Sequence, residues 1–147
     1  MKITICGSIA FYEKMQETQK ILEEMGHEVD IPPCELKDDS GNIISIQEYY
    51  KIRKAGSEDE KWIWDRKKWA MKKHFDKVVW ADAILVLNYA KNNIDGYIGA
   101  NTLIEMGLAL HLDKSIYLLN PIPEISCKEE ILGMQPIILS GDLSKIM

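Results

Sequence analysis

Residues 3–6 (Ile-Thr-Ile-Cys) are β-branched or apolar and stop at Gly7-Ser8, the pattern of a short buried strand running into a turn. Beyond it Phe11, Met15, Thr18, Leu22 and Met25 recur in alternating steps of four and three, which predicts an amphipathic helix closed by Gly26. Glu28–Ile31 reads as a second strand, stopped by Pro32-Pro33. Strand, helix and strand in such a short span predict a right-handed βαβ unit with parallel strands.

Residues 34–57 break the rhythm with a polar, turn-rich stretch and a short helix around Ile46–Lys54. The segment is expected to be an excursion over the sheet edge, a mobile lid. Ser57-Glu58-Asp59-Glu60 has capping-box spacing and is expected to open a long helix towards Val79. Ala83–Leu87 is continuously apolar and belongs mid-sheet, covered on both faces. A turn-rich loop, a helix over Asn101–Leu112, a strand at Ser115–Leu119, a short helix at Lys128–Leu132 and a strand at Ile137–Leu139 complete the series. Five strands alternating with helices predict one α/β domain over 1–147. The expected fold is a flavodoxin-like, doubly wound five-stranded parallel sheet with helices on both faces, in order 2-1-3-4-5.

Composition narrows the function classes. The 147 residues are 46% hydrophobic and 28% charged, with a net charge of -5, which argues against a nucleic-acid partner. Acids Glu58 to Glu60 before the lysines, and tryptophans between them, make the helix from Ser57 read as a packed aromatic face with a solvated basic one. Three scattered cysteines suit a reducing compartment. No leader segment or membrane span is legible, so a cytoplasmic protein without a membrane partner is expected. His27, His74 and His111 lack ligand spacing with the cysteines and read as helix-surface residues, so no metal and no cofactor are expected. GxxxxGK[ST], GxGxxG and GxSxG motifs are all missing.

In the expected strand order, ligands bind outside the carboxyl ends of the first and third strands. Gly7-Ser8-Ile9 and the segment Asn88 through Glu105 must meet there. Gly7 and Ser8 offer free backbone N–H groups and a hydroxyl to an anion, or Ser8 merely caps the helix. Glu105 lies in Asn101-Thr102-Leu103-Ile104-Glu105-Met106-Gly107, a helix otherwise almost entirely apolar. A carboxylate there is costly unless it has a task, such as attack on an electrophilic sugar carbon; the alternative is a glutamate on the exposed stripe. Gly107 is expected to allow close backbone approach to the sheet or a ligand. Asp95 and Asn88 can reach the crevice, whereas Asp82 precedes the third strand and belongs at the far end.

The segments Cys6-Gly7-Ser8-Ile9, Ala81-Asp82-Ala83-Ile84-Leu85-Val86 and Glu105-Met106-Gly107-Leu108-Ala109-Leu110 resemble the nucleoside 2-deoxyribosyltransferase superfamily. They are most similar to its 2'-deoxynucleoside 5'-phosphate N-hydrolase branch. The resemblance implies cleavage or transfer at the N-glycosidic bond of a small nucleoside or its 5'-monophosphate. Glu105 would be the nucleophile, Asp82 would act near the base, and Ser8 would hold the phosphate. It also implies a homodimer or higher homo-oligomer. Two positions depart from the pattern: Ala10-Phe11-Tyr12 stand where the branch carries Arg-Gly-Gly, and Gly99 stands where the family has serine or aspartate. Asn101 or Asp95 then becomes a candidate substitute, and Gly99-Ala100-Asn101-Thr102 a candidate phosphate cradle. The departures also open a second reading, a nucleotide-binding module without turnover.

Overall fold

The computed structural model describes residues 1–147. Its elements are β1 (Lys2–Cys6), a 3-10 turn (Ile9–Phe11), α1 (Tyr12–Glu24), β2 (Glu28–Asp30), β3 (Glu35–Lys37), β4 (Ile43–Ser45), α2 (Ile46–Ala55) and α3 (Lys61–Trp80). Then follow β5 (Ala83–Val86), α4 (Ala100–His111), β6 (Ser115–Leu118), α5 (Lys128–Gly133), β7 (Ile137–Ile138) and a last 3-10 turn (Leu143–Lys145). The main sheet has five parallel strands in the order β2-β1-β5-β6-β7, which is 2-1-3-4-5 when its own strands are counted. This is the doubly wound flavodoxin-like topology expected from the pattern. No helix is long and apolar enough to cross a membrane.

Period-two alternation splits the core. Ile3, Ile5, Ala83, Leu85 and Leu87 face α1 and α2, where they meet Met15, Leu22, Ile46 and Tyr49. Cys6, Ile84, Val86, Ile116 and Leu118 face the other way, onto Val78 of α3, Met106 and Ala109 of α4, and Ile131 of α5. Every residue of β5 is buried, as a central parallel strand requires.

The segment 34–57 is an excursion off the main sheet: a β3–β4 hairpin leads into α2, the short helix expected there. Ser45 caps α2 by accepting the Glu48 N–H, and Ile46 and Tyr49 bury their side chains in the core. The Tyr49 hydroxyl donates to the Ile63 carbonyl at 2.6 Å, tying α2 to α3. Tyr49→Phe removes that bond and should cost about 1 kcal/mol. It is checked by a lower urea midpoint at unchanged slope.

α3 differs from its reading. Glu60 does accept the Ser57 N–H, but the helix starts at Lys61, one turn later. Its buried residues are Ile63, His74 and Val78; Trp62 packs against the core beside Tyr49, while Trp64, Trp69 and Trp80 are exposed, so the packed aromatic face is reduced to one tryptophan.

Candidate active site

A cavity of about 320 Å³ opens at the carboxyl ends of β1 and β5. The backbone turn at Gly7 allows this. A Cβ at that position would stand 3.1 Å from the Leu87 carbonyl oxygen, so only glycine fits there without displacement. Gly7, Ser8 and Ile9 line one side; Gly99, Ala100, Asn101, Thr102 and Glu105, from the start of α4, line another. α2 and α3 supply further walls, including Tyr50, Arg53, Lys67 and His74, and Lys91 and Tyr97 reach in from the loop after β5.

Glu105 is 3% exposed. Asn101, one turn earlier on α4, donates from Nδ2 to its Oε1 at 3.4 Å. His74 Nε2 lies 3.7 Å from its Oε2, and Cys6 Sγ lies 3.5 Å from the same Nε2. Burial pushes the Glu105 carboxyl up to about 8, against the pull of Cys6 and Lys67. Burial, with Lys77 adding to it, lowers His74 to about 4. Burial thus favours the neutral form of both groups, which works against an ion pair at this contact. Burial, then Glu105, raises the Cys6 thiol well above its usual range.

The Glu105 shift has a consequence for stability. Between its ordinary value of 4.5 and about 8, the folded chain holds a proton that the unfolded chain has released. The unfolding free energy should accordingly fall as pH rises through that window, by on the order of a few kcal/mol. Denaturant titrations at stepped pH check this, and Glu105→Gln should flatten the dependence.

The cavity is cationic although the chain is acidic. Arg53, Lys54, Lys67 and Lys91 line it, against Glu105 as the one acidic residue. Burial, then Arg53 and Lys54, lowers Lys67 from its usual value. Lys91 Nζ donates to Ser8 Oγ at 2.8 Å and lies 5.1 Å from the Tyr97 ring centre and 5.8 Å from that of Tyr50. Its position follows from local geometry: Asn92 and Asn93 both take positive φ, 53° and 59°. Lys91 and Ile94 exchange backbone hydrogen bonds across them, closing a tight hairpin turn. The loop after β5 thus places a cation beside Ser8.

Gly7, Ser8, Ile9, Gly99, Asn101 and Glu105 converge here as expected, and three other candidates do not. Asp82 is exposed at the amino end of the sheet, where it accepts the Lys2 N–H at 2.7 Å, so its candidacy near the base is corrected. Asn88 is buried as a loop clamp. It donates to the Asn120 and Pro121 carbonyls, and its Oδ1 accepts the Asn120 N–H. Asp95 is exposed and borders, with Asn88, a separate surface hollow. Gly107 gives no close approach, since a Cβ there would meet nothing within 4 Å.

Sequence reading missed Cys6, His74, Lys67 and Lys91 as site residues. A signal existed for two of them: Lys67 and His74 share one stripe of α3 with Ile63 and Val78, at steps of four, seven and four residues. No protein-family model matches the sequence. No curated protein matches it significantly either. Among solved structures, it is similar to a 2-deoxyribosyltransferase from Bacillus psychrosaccharolyticus, at 16% identity and a TM-score of 0.48, over 80% of this chain and 71% of that one. It is also similar to a CMP N-glycosidase from Clostridium botulinum, at 17% identity and a TM-score of 0.47, over 94% of this chain and 85% of that one.

Proposed function

We propose that this protein cleaves the N-glycosidic bond of a small nucleoside 5'-monophosphate, with Glu105 as nucleophile. The observation that carries the reading is one cavity holding a single buried carboxylate at its floor and four cationic side chains around it. Burial holds a proton on Glu105 up to about 8, so the attacking form is the carboxylate left when that proton is lost, and base release should rise with pH towards that value. That carboxylate can attack C1' as the bond to the base nitrogen breaks, giving a covalent glycosyl-enzyme. Water, or a second base, then displaces the carboxylate with net retention. The base departs with one proton and the water supplies the hydroxyl at C1'. Lys91, Ser8 and Arg53 form the end suited to the phosphate, since charge-assisted hydrogen bonds to lysine and arginine are the strong ones. The aromatic rings of Tyr50 and Tyr97 beside Lys91 add flat surfaces to the same region.

The homo-oligomer implied by the resemblance belongs to this proposal too. α4 turns Ile104 and Leu110 outward, each about half exposed, as apolar surface a second copy can cover. The experiment is incubation with a panel of deoxynucleosides, ribonucleosides and their 5'-monophosphates, with free base measured by chromatography. Base release faster from monophosphates than from the parent nucleosides is expected. No release from any member defeats the reading, and tight nucleotide binding without release leaves a binding module in its place.

A further inference from the structure

The floor of the cavity holds an arrangement that glycosidic chemistry does not require. Cys6 ends β1, His74 lies on the inward stripe of α3, and Glu105 lies on the second turn of α4. The thiol sulfur, Nε2 and a carboxylate oxygen all fall within 4.8 Å of one another. All three residues are buried, and each stands on a different regular element, so their spacing is set by packing of the scaffold rather than by mobile surface chains.

We propose that Cys6 Sγ, His74 Nε2 and the Glu105 carboxylate bind one zinc ion, which holds the site inactive by occupying the nucleophile. The inhibitory half rests on the proposed function; the binding half does not.

The donor set and its spacing support zinc. Thiolate, imidazole and carboxylate are its protein ligands, and tetrahedral bond lengths put sulfur and nitrogen ligands roughly 3.5 Å apart, nitrogen and oxygen roughly 3.4 Å. The observed separations are 3.5 Å between Sγ and Nε2 and 3.7 Å between Nε2 and Oε2. The third separation, thiol sulfur to carboxylate oxygen, is within 4.8 Å, against roughly 3.5 Å in a tetrahedral site, so the carboxylate and thiol must close on the ion. Magnesium and calcium require a near-complete oxygen shell, which this set does not offer. Charge balance also favours the ion: the zinc dication with one thiolate and one carboxylate is neutral overall, which suits a buried site. Binding releases the Cys6 thiol proton and, where Glu105 is protonated, its carboxyl proton as well. The imidazole must carry its proton on Nδ1, which leaves the Nε2 lone pair for the ion. His74 and Glu105 line the cavity, so the fourth coordination position and the route for the ion both face it.

The test is calorimetric titration of the chelator-treated full chain with zinc chloride, and with magnesium chloride beside it. One equivalent of zinc and no magnesium should bind. Affinity should drop at least tenfold in Cys6→Ser, in His74→Ala and in Glu105→Gln, and stay unchanged in Cys34→Ser and Cys127→Ser. Circular dichroism checks that each variant is folded, and three separate ligand variants keep the test decisive if one is not. Cobalt(II) in place of zinc should give a thiolate charge-transfer band that Cys6→Ser abolishes. Absence of saturable zinc uptake, or uptake that survives Cys6→Ser or follows Cys34 or Cys127, overturns the site. Base release should stop at one equivalent of zinc and return with chelator; zinc bound without that effect overturns the inhibitory half. A chain that binds zinc but releases no base under any condition instead removes the proposed function and the inhibition with it, leaving the zinc site standing.

Discussion

Glu105→Gln should lower base release at least about a thousandfold while leaving the fold intact. Glutamine has the same shape and keeps an oxygen for the Asn101 amide, but it cannot form a stable ester with C1'. The substitution also removes a buried ionisable group held up near 8, so the variant should be at least as stable as the parent at pH 8. Loss of activity in a protein that melts no earlier separates a missing nucleophile from a damaged fold. The measurement is single-turnover base release from the best monophosphate of the panel, beside a thermal melt of both proteins. In the parent, denaturation in acid should trap a covalent sugar–protein adduct visible by mass, and the glutamine variant should form none. Equal rates in the two proteins would take the carboxylate out of the chemistry. The zinc-free protein must be used, because an ion on the same carboxylate would mimic the variant.

The strand order was readable because each strand is short, apolar and followed by turn residues, and because β5 carries no polar residue that would demand an exposed face. Glu105 was readable for the converse reason: one charge in an apolar helix has few places to go. The misreadings share a cause, since residues brought together from distant elements leave little mark on local spacing. His74 lies 68 positions from Cys6 and its burial depends on how α3 crosses β1, so metal-ligand intervals along the chain could not reveal the cluster. Asn88 looked like a ligand group because polar residues at strand ends face the crevice. Its amide is instead consumed by the turn at Asn120 and Pro121. Within 34–57, two apolar anchors one turn apart on α2, Ile46 and Tyr49, seat the short helix that follows the polar hairpin.

Lys91→Ala should separate nucleotides from nucleosides. Its ammonium is held by Ser8 and by the hairpin turn at Asn92-Asn93, so it meets an incoming phosphate without first being ordered. A charge-assisted hydrogen bond lost from such a position costs about 1.5–3 kcal/mol, which is roughly a 10- to 150-fold fall in kcat/KM for the monophosphate. The parent nucleoside has no group for that cation, so its kcat/KM should stay within about threefold. Arg53→Ala should act in the same direction, since its guanidinium stacks near Tyr50, 5.1 Å from the ring centre, on the same wall. Because the two cations share one anion, their effects should fall short of additive in the double variant. Raising salt should weaken the parent's preference for monophosphates more than the double variant's, in which only Lys54 and Lys67 remain to be screened. A kcat/KM that falls equally for nucleoside and monophosphate in Lys91→Ala would mean that this cation shapes the cavity rather than reading the phosphate.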